Sequence, residues 1–103
     1  DFLFDARGLP NPHWDKSLRP FDGRDEAVIA WLQSHPEVDE FKQDIVLFLN
    51  RWIPSLAGGQ RSLLTIAIGC TGGQHRSVYL AESIAQTLNA AQLRVRTFHR
   101  ELV

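Results

Sequence analysis

The stretch between residues 62 and 98 constrains the fold of this chain most strongly. It begins with SLLTIAIGC, a continuous and mostly apolar run that is typical of a strand in the middle of a parallel sheet, covered on both faces. The turn TGGQH follows, and apolar residues then recur at helical spacing from His75 or Arg76 to about Asn89. LRVRTFHR alternates like a last strand. This order predicts a right-handed βαβ unit, whose ligands lie beyond the carboxyl ends of the strands.

The segment before this unit begins with a further strand. DFLFDA, at the start of the chain, is apolar enough for a buried strand, and RGLPNPHWD after it is a loop because it contains one Gly and two Pro. Asp25 to His35 predicts a short helix, which Asp22 or Asp25 caps and Pro36 ends.

A longer helix is predicted next, because apolar residues recur at three- and four-residue steps from Val38 to Leu56. Pro54 and then AGGQ are expected to end it. Trp31 and Trp52 lie on the apolar faces of the two helices, so both are predicted to be core residues.

The chain has 103 residues, of which 44% are hydrophobic, and this is enough for one compact domain with a single core. The elements predict a small three-layer α/β domain with a mostly parallel sheet and a phosphate-binding loop at a strand-to-helix turn. Because the chain begins with Asp1 and contains no Met, we expect residues 1–103 to be a single domain excised from a longer protein.

Several classes of protein are disfavoured by composition. No apolar run approaches the roughly 18 residues that span a bilayer, and one cysteine cannot form an internal disulfide, so a cytoplasmic location is expected. Charge is distributed unevenly: residues 1–50 carry 5 Lys and Arg against 10 Asp and Glu, whereas residues 51–103 carry 6 against 2. All six are arginines, which suit phosphate, although a solvated surface explains this charge equally well.

The loop at residues 70–77 has the composition of an anion site. Gly72 and Gly73 permit positive φ and close backbone approach, so several N–H groups can converge at the N-terminus of the following helix. Arg76 supplies a bidentate donor and Ser77 a hydroxyl. We therefore expect this loop to bind phosphate or a phosphate-like group.

Cys70, five residues and then Arg76 also match the spacing of one class of cysteine phosphatases. These enzymes need a protonated acid for the leaving oxygen, and here only Asp5, Asp15 and His13 are candidates, through folding. Most of them place His before the cysteine, where this chain has Gly69. A thiol that only packs under the loop is the simpler interpretation, and the sequence assigns no catalytic residue and no metal ligand.

FDARGLPNPHWD at residues 4–15 and IGCTGGQHRSVYLAE at residues 68–82 resemble the C-terminal domain of the RapZ/YvcJ family of RNase adapter proteins. The resemblance implies a regulator that senses glucosamine-6-phosphate, binds small regulatory RNA and presents it to RNase E. It also implies a homo-oligomer and a nucleotide held only by an N-terminal P-loop domain, so no cofactor is expected here. A sensor of a different sugar nucleotide is an alternative.

The resemblance and the residues together imply a set of ligand-binding positions. It consists of Asp5, Asn11, His13, Thr71, Gly72, Gly73, His75, Arg76 and Ser77. The loop and Arg76 would hold the phosphate, while Asp5 would pair with the sugar's ammonium and Asn11 or His13 would reach its hydroxyls. Trp14, in the same loop as His13, either lines the pocket or anchors that loop.

A second set of positions concerns RNA. Family members often carry a Lys/Arg tail, but this chain ends in RELV. Arg94, Arg96 and Arg100 are nevertheless expected to contact RNA phosphates, with Phe98 on the same face of the last strand. A merely soluble edge strand is the other interpretation of these arginines.

Overall fold

The computed structural model describes residues 1–57, 63–91 and 93–102. Within these residues the chain forms two strands and three α-helices, in the order β1 (Phe2–Asp5), α1 (Glu26–Gln33), α2 (Pro36–Ala57), β2 (Ile66–Gly69) and α3 (Arg76–Ala90). Two short 3-10 turns, Pro12–Trp14 and Lys16–Leu18, lie between β1 and α1. None of the described helices combines the length and the apolar character that crossing a membrane requires. The predicted α/β class is confirmed.

The two strands form a parallel pair. The register is Phe2 with Ile66, Leu3 with Ala67, Phe4 with Ile68 and Asp5 with Gly69. Partners in a parallel pair point to the same face, and the two phenylalanines and two isoleucines all pack against the core. Both strands end at the same edge of the sheet, so the two loops that follow them start side by side.

Helices cover one face of this sheet, which corrects the prediction of three layers. Positions along β1 alternate between partly buried and exposed, and Leu3 is 75% exposed. Its neighbour Ala67 on β2 is exposed too. The apolar run around β2 suggested a strand covered on both sides, but its outward positions include Thr65 and Ala67, one polar and one small. Leaving those two side chains in water costs little, although the apolar Leu3 is exposed on the same face. The described part of the domain therefore has two layers.

The two helices of the first half follow the predicted spacing, and the predicted cap of α1 is confirmed, whereas the predicted end of α2 is not. α1 begins after Asp25, whose extended backbone makes it the N-cap, and Pro36 opens α2, a position that suits proline. Pro54 lies inside α2, so the prediction that it ends the helix is wrong. A proline this near the end removes few helical hydrogen bonds, and the neighbouring Ile53 packs against the core. Residues 58–60, the rest of the predicted stop, lie outside the described residues.

The core lies between the helices and the inner face of the sheet. Its buried residues are Ala6, Leu18, Val28, Leu32, Val38, Ile45, Val46, Leu49, Leu80, Ile84 and Leu88. Trp31 packs against this cluster, as predicted. Trp52 is 44% exposed, so its assignment to the core is wrong; the guanidinium of Arg51 lies 5.3 Å from its ring centroid. Because the Arg51 cation covers part of the Trp52 indole, this side chain can remain at the surface.

The segment after α3 is not a strand, which corrects the predicted βαβ unit. Residues 93–99 have no regular secondary structure, and Ser62 and Gln92 of the predicted unit lie outside the described residues. Leu93 and Val95 still pack against the core. The backbone N–H of Val95 donates to the Asn89 side chain at 3.1 Å, so a side chain of α3 takes up a group that a neighbouring strand would use. The alternation of apolar and polar residues in this segment therefore comes from its packing against the core and not from strand pairing.

Gly23 lies directly against the start of α3. Its backbone N–H donates to the carbonyl oxygen of Gln74 at 2.9 Å. A Cβ at this position would collide with backbone atoms of His75 and Tyr79 and lie 2.9 Å from the Cβ of Val78. The close approach of the loop before α1 to the first turn of α3 therefore requires glycine at position 23.

Gly23→Ala is accordingly expected to destabilise the domain by about 1–3 kcal/mol, because backbone atoms must shift to admit the methyl group. The free energy of unfolding from urea denaturation would measure this. Gly8→Ala is the matched control, since nothing lies within 4 Å of the Cβ it adds. Equal stability of the two variants would contradict the packing described for Gly23.

Candidate functional site

The ends of β1 and β2 open into a cavity of about 310 Å³. It is lined by Leu3, Asp5, Arg7, Gly69 and Cys70. Its position beyond the carboxyl ends of two parallel strands is the place where ligands of α/β domains bind. A second cavity, of about 320 Å³ between α1 and α3, contains none of the predicted site residues. The cavity at the strand ends is therefore the candidate site.

Asp5 is paired with Arg7, a residue that the sequence analysis missed. The Arg7 Nη2 is 2.7 Å from the Asp5 Oδ2, and the Arg7 Nε and backbone N–H each donate at 3.0 Å. Hydrogen bonds from the Arg7 side chain, then from its backbone, lower the pKa of Asp5 to about 2, so the carboxylate is charged at neutral pH. The signal was the spacing Asp-Ala-Arg at a strand end, which lets one residue's side chain reach the other.

The glycines of the loop have the backbone conformation that was predicted. Gly72 has a φ of 81° and Gly73 a φ of 63°, values that L residues rarely adopt. Thr71 and Gly72 are exposed, and their backbone N–H groups have no hydrogen-bond partner among the described residues. Two donors close to a helix N-terminus are thus available to an anion.

The Cys70 sulfur lies between this loop and α3. Its Sγ is 3.3 Å from the Ser77 Oγ and accepts from the backbone N–H of Ser77 at 3.4 Å. Burial raises the pKa of the thiol, but hydrogen bonds from the side chain and backbone of Ser77 and the backbone of Gly73, together with the charge of Arg76, outweigh it and lower the pKa overall. The buried Ser77 is therefore hydrogen-bonded to Cys70. Its backbone N–H donates to the sulfur and is not available to an anion.

Arg76 is 3% exposed and points away from solvent. Its Nη1 donates to the carbonyl oxygens of Arg7 at 3.0 Å and Leu9 at 2.9 Å, and lies 3.5 Å from that of Ala6. Its Nε is buried and has no partner among the described residues. The sequence assigned this guanidinium to a bound phosphate, whereas the structure also gives it the role of holding the loop after β1 against α3.

His75 and Gln74 fasten the loop on its other side. The Nε2 of His75 is 2.7 Å from the carbonyl oxygen of Phe21 and 3.2 Å from that of Leu18; because carbonyls only accept, this nitrogen carries the hydrogen. Gln74, which the sequence analysis did not single out, donates to the carbonyls of Arg19 and Phe21 at 2.8 Å. The His75 ring is buried and committed to these contacts.

Asn11 and His13 lie in the loop after β1, outside the lining of the cavity. The Asn11 Oδ1 accepts from the backbone N–H of His13 at 3.0 Å, which caps the first 3-10 turn. The His13 side chain is exposed, and its ring centroid lies 6.5 Å from that of His75. Trp14 is exposed as well, so it does not anchor this loop in the core.

The arginines predicted to contact RNA lie together on the last described segment. Arg94, Arg96 and Arg100 are exposed, and Phe98 is 87% exposed. The Arg100 Nε is 3.7 Å from the Glu101 Oε1, a distance typical of a weak surface pair. The residues predicted to contact RNA thus lie exposed on an irregular segment instead of a strand.

The fold and the site define a class: a small α/β domain whose glycine-containing loop joins a parallel strand to the N-terminus of a helix. Within that class, residues 1–103 match the model of the RapZ C-terminal domain, and the chain belongs to this family. The resemblance found in its two sequence motifs is confirmed.

Relatives named nucleotide-binding protein support this membership. The chain is 53% identical to one from Nitrosococcus oceani and 51% identical to one from Chromohalobacter salexigens, in each case over 99% of its own length. Nucleotide-binding protein MCA0739 from Methylococcus capsulatus is 51% identical over the same share. The chain covers 36%, 34% and 35% of these relatives, about a third of their length.

Arg7→Gln is expected to raise the pKa of Asp5 from about 2 toward the usual carboxyl range, because the charge-assisted hydrogen bonds disappear. In the unchanged domain the pair stabilises the fold fully above the unfolded pKa of Asp5, and this contribution is lost as pH falls toward 2. Carbon NMR of the carboxyl group measures the titration. Arg24→Gln is the matched control, since Arg24 makes a similar pair with Asp22. An Asp5 pKa unmoved by Arg7→Gln would refute the assignment.

Proposed function

We propose that this domain is a regulatory sensor of an amino-sugar phosphate, with glucosamine-6-phosphate as the ligand. One observation carries the proposal: the ionised Asp5 lines the same cavity as the start of a glycine loop with free N–H donors. A carboxylate next to an anion site suits a molecule that carries a positive and a negative charge. An amino-sugar phosphate has both, separated by one sugar ring.

The phosphate end would lie on the loop. The N–H groups of Thr71 and Gly72 and the N-terminus of α3 supply donors and partial positive charge. Arg76 contributes charge and keeps the neighbouring loop in place, and the side chain of Arg7 is exposed beside the cavity. Contacts of this kind give bare phosphate only roughly millimolar to tens-of-micromolar affinity, so the sugar must add selectivity.

The sugar end would lie toward Asp5 and the loop after β1. The Asp5 carboxylate has Arg7 as one partner and can accept from an ammonium as well, because a carboxylate offers several lone pairs. Asn11 and His13 lie on the loop after β1, and the exposed His13 ring is the one proposed to contact the sugar's hydroxyl groups. His75 and Ser77 act by holding the loop and the sulfur in their places.

A cysteine phosphatase is the competing function, and the lowered pKa of Cys70 favours it. Two observations support the sensor instead. Asp5 and Asp15 both have lowered pKa values, Asp5 through Arg7 and Asp15 through Ser17, so neither carboxyl keeps the proton that a leaving oxygen needs. The Arg76 guanidinium, which a phosphatase would aim at phosphate, donates to backbone carbonyls.

The wider role follows from family membership. This chain matches about a third of the length of its relatives. We infer that the corresponding full-length protein binds small regulatory RNA and acts as an adapter for RNase E cleavage in the cytoplasm. We assign the nucleotide of the relatives' name to the part of those proteins outside the match, and expect a homo-oligomer. The arginine-bearing segment at residues 94–100 is the surface proposed for RNA.

A phosphorus NMR titration tests the ligand. The phosphorus signal of glucosamine-6-phosphate is expected to shift or broaden at lower protein concentration than that of glucose-6-phosphate. Asp5→Asn is expected to reduce this preference for the amino sugar by about tenfold, the value of one charge-assisted contact. Asp39→Asn on α2 is the matched control, since it removes the same charge from an exposed site.

Two other results would change the assignment. Accumulation of inorganic phosphate that Cys70→Ser abolishes would make the domain a phosphatase. A glucose-6-phosphate affinity equal to that of the amino sugar would favour another ligand, such as a sugar nucleotide.

Replacing Arg94, Arg96 and Arg100 together by Gln is expected to weaken RNA binding and to make its dependence on the logarithm of salt concentration shallower by about 2–3, as three phosphate contacts require. Filter binding across a salt series measures both effects. The control variant replaces Lys16, Lys42 and Arg51 by Gln. It changes the net charge by the same amount, but on other elements of the fold. An equal loss from both triple variants would mean that overall charge, and not this segment, determines binding.

A further inference from the structure

The chain after α3 turns back along that helix toward the glycine loop. The backbone N–H of Leu93 donates to the carbonyl oxygen of Leu88 at 3.1 Å, near the end of α3. The Nε2 of His99 lies 2.9 Å from the Oε1 of Glu82, half-way along the helix. Residues 93 and 95 contact the end of α3, His99 contacts its middle and Glu101 reaches Gly73, so the segment runs antiparallel to the helix as far as the loop that precedes it.

The end of this segment is held in a turn. The backbone N–H of Leu102 donates to the carbonyl oxygen of His99 at 3.2 Å, which closes the chain around Arg100 and Glu101. The His99 side chain is largely buried and bonded to Glu82, so the first residue of the turn is anchored to α3. The turn places the backbone of residue 101 beside the glycine loop.

Glu101 lies directly against Gly73. A Cβ built on Gly73 would be only 2.7 Å from the Cγ of Glu101 and 4.0 Å from its carboxylate carbon. The loop accepts this side chain because position 73 is a glycine. A carboxylate therefore lies a few ångströms from the loop proposed to receive a phosphate, and two like charges that close repel each other.

Among the described residues, Glu101 has a single weak ion pair to compensate its charge, and its side chain is half-exposed. Its partner Arg100 lies at 3.7 Å and is itself highly exposed, so it compensates little. The opposite side of the loop is fixed, because Gln74 and His75 are bonded to the carbonyls of residues 18–21. The Glu101 side is the one that can open without breaking a hydrogen bond of the loop.

We propose that Glu101 is an acidic gate on the glycine loop, which weakens anion binding until its side chain swings away. The inference rests on the proposed function, since it concerns the same loop. The gate makes the affinity for phosphate lower than the donors alone would provide. It also places that affinity under the control of the segment that carries Glu101.

Isothermal titration of the domain with inorganic phosphate and with glucosamine-6-phosphate tests the gate. Glu101→Gln is expected to bind both anions about threefold to tenfold more tightly at low salt, with a smaller gain at high salt. His99→Gln loosens the turn and keeps the carboxylate, and it should also increase the affinity for both anions, as Glu101→Gln does. Glu40→Gln is the control, because it removes one charge from an exposed position on α2.

The outcomes separate the gate from the ligand assignment. If glucosamine-6-phosphate binds the unchanged domain and Glu101→Gln strengthens neither anion, the gate is wrong and the function stands. If Glu101→Gln tightens phosphate while neither protein prefers the amino sugar, the gate stands and the ligand is wrong. Tighter phosphate but weaker amino-sugar binding would make Glu101 an ammonium ligand and overturn the gate. Both proposals fail if neither protein binds either anion.

Discussion

The buried guanidinium of Arg76 is the contact on which the rest of the site depends. Arg76 begins α3, yet its Nη1 donates to the carbonyls of Arg7 and Leu9, which follow β1. A buried charge is costly unless polar groups satisfy it, and buried carbonyls are costly without donors. Each therefore stabilises the other, and together they hold the loop after one strand against the helix that follows the other. The strand register places Asp5 beside Gly69, and Arg76 holds the loops beyond this edge together, so that Asp5 and Cys70 line one cavity.

The glycine loop is held from two directions around a central sulfur. Below it, Cys70 accepts from the backbone of Ser77; beside it, His75 and Gln74 reach the carbonyls before α1. These contacts use side chains that sequence reasoning would assign to a ligand. The N–H groups of Thr71 and Gly72 remain, and they lie on the exposed surface of the loop. Side chains thus fasten the loop to its neighbours, while the backbone N–H groups of Thr71 and Gly72 stay exposed.

Local features of this fold could be predicted from sequence, and contacts between distant segments could not. The helix after the loop and the positive φ of Gly72 and Gly73 depend on residue spacing and on glycine itself, so they were predicted correctly. The error about Pro54 arose because packing outweighed a local rule.

The remaining differences concern partners that no periodicity reveals. Whether the outer face around Leu3 is covered and whether residues 93–99 join a sheet both depend on tertiary contacts. The same holds for Glu101, whose contact with Gly73 links positions that no spacing rule relates. In the site, Arg7 was missed although it lies two residues from Asp5, because this spacing permits the pair but does not specify which conformation the two side chains adopt.

The parallel pairing of β1 and β2 has a consequence for how the domain is made. The first strand finds its partner only after both intervening helices, and Ala6 and Arg76 are 70 residues apart. Contacts this distant slow folding, because a long loop must close before they form. On the ribosome, α1 and α2 can form early, but β1 must wait without its strand partner until β2 has emerged. The candidate site is thus complete only after β2 and the start of α3 have been made, because Cys70 and Arg76 come from that part of the chain.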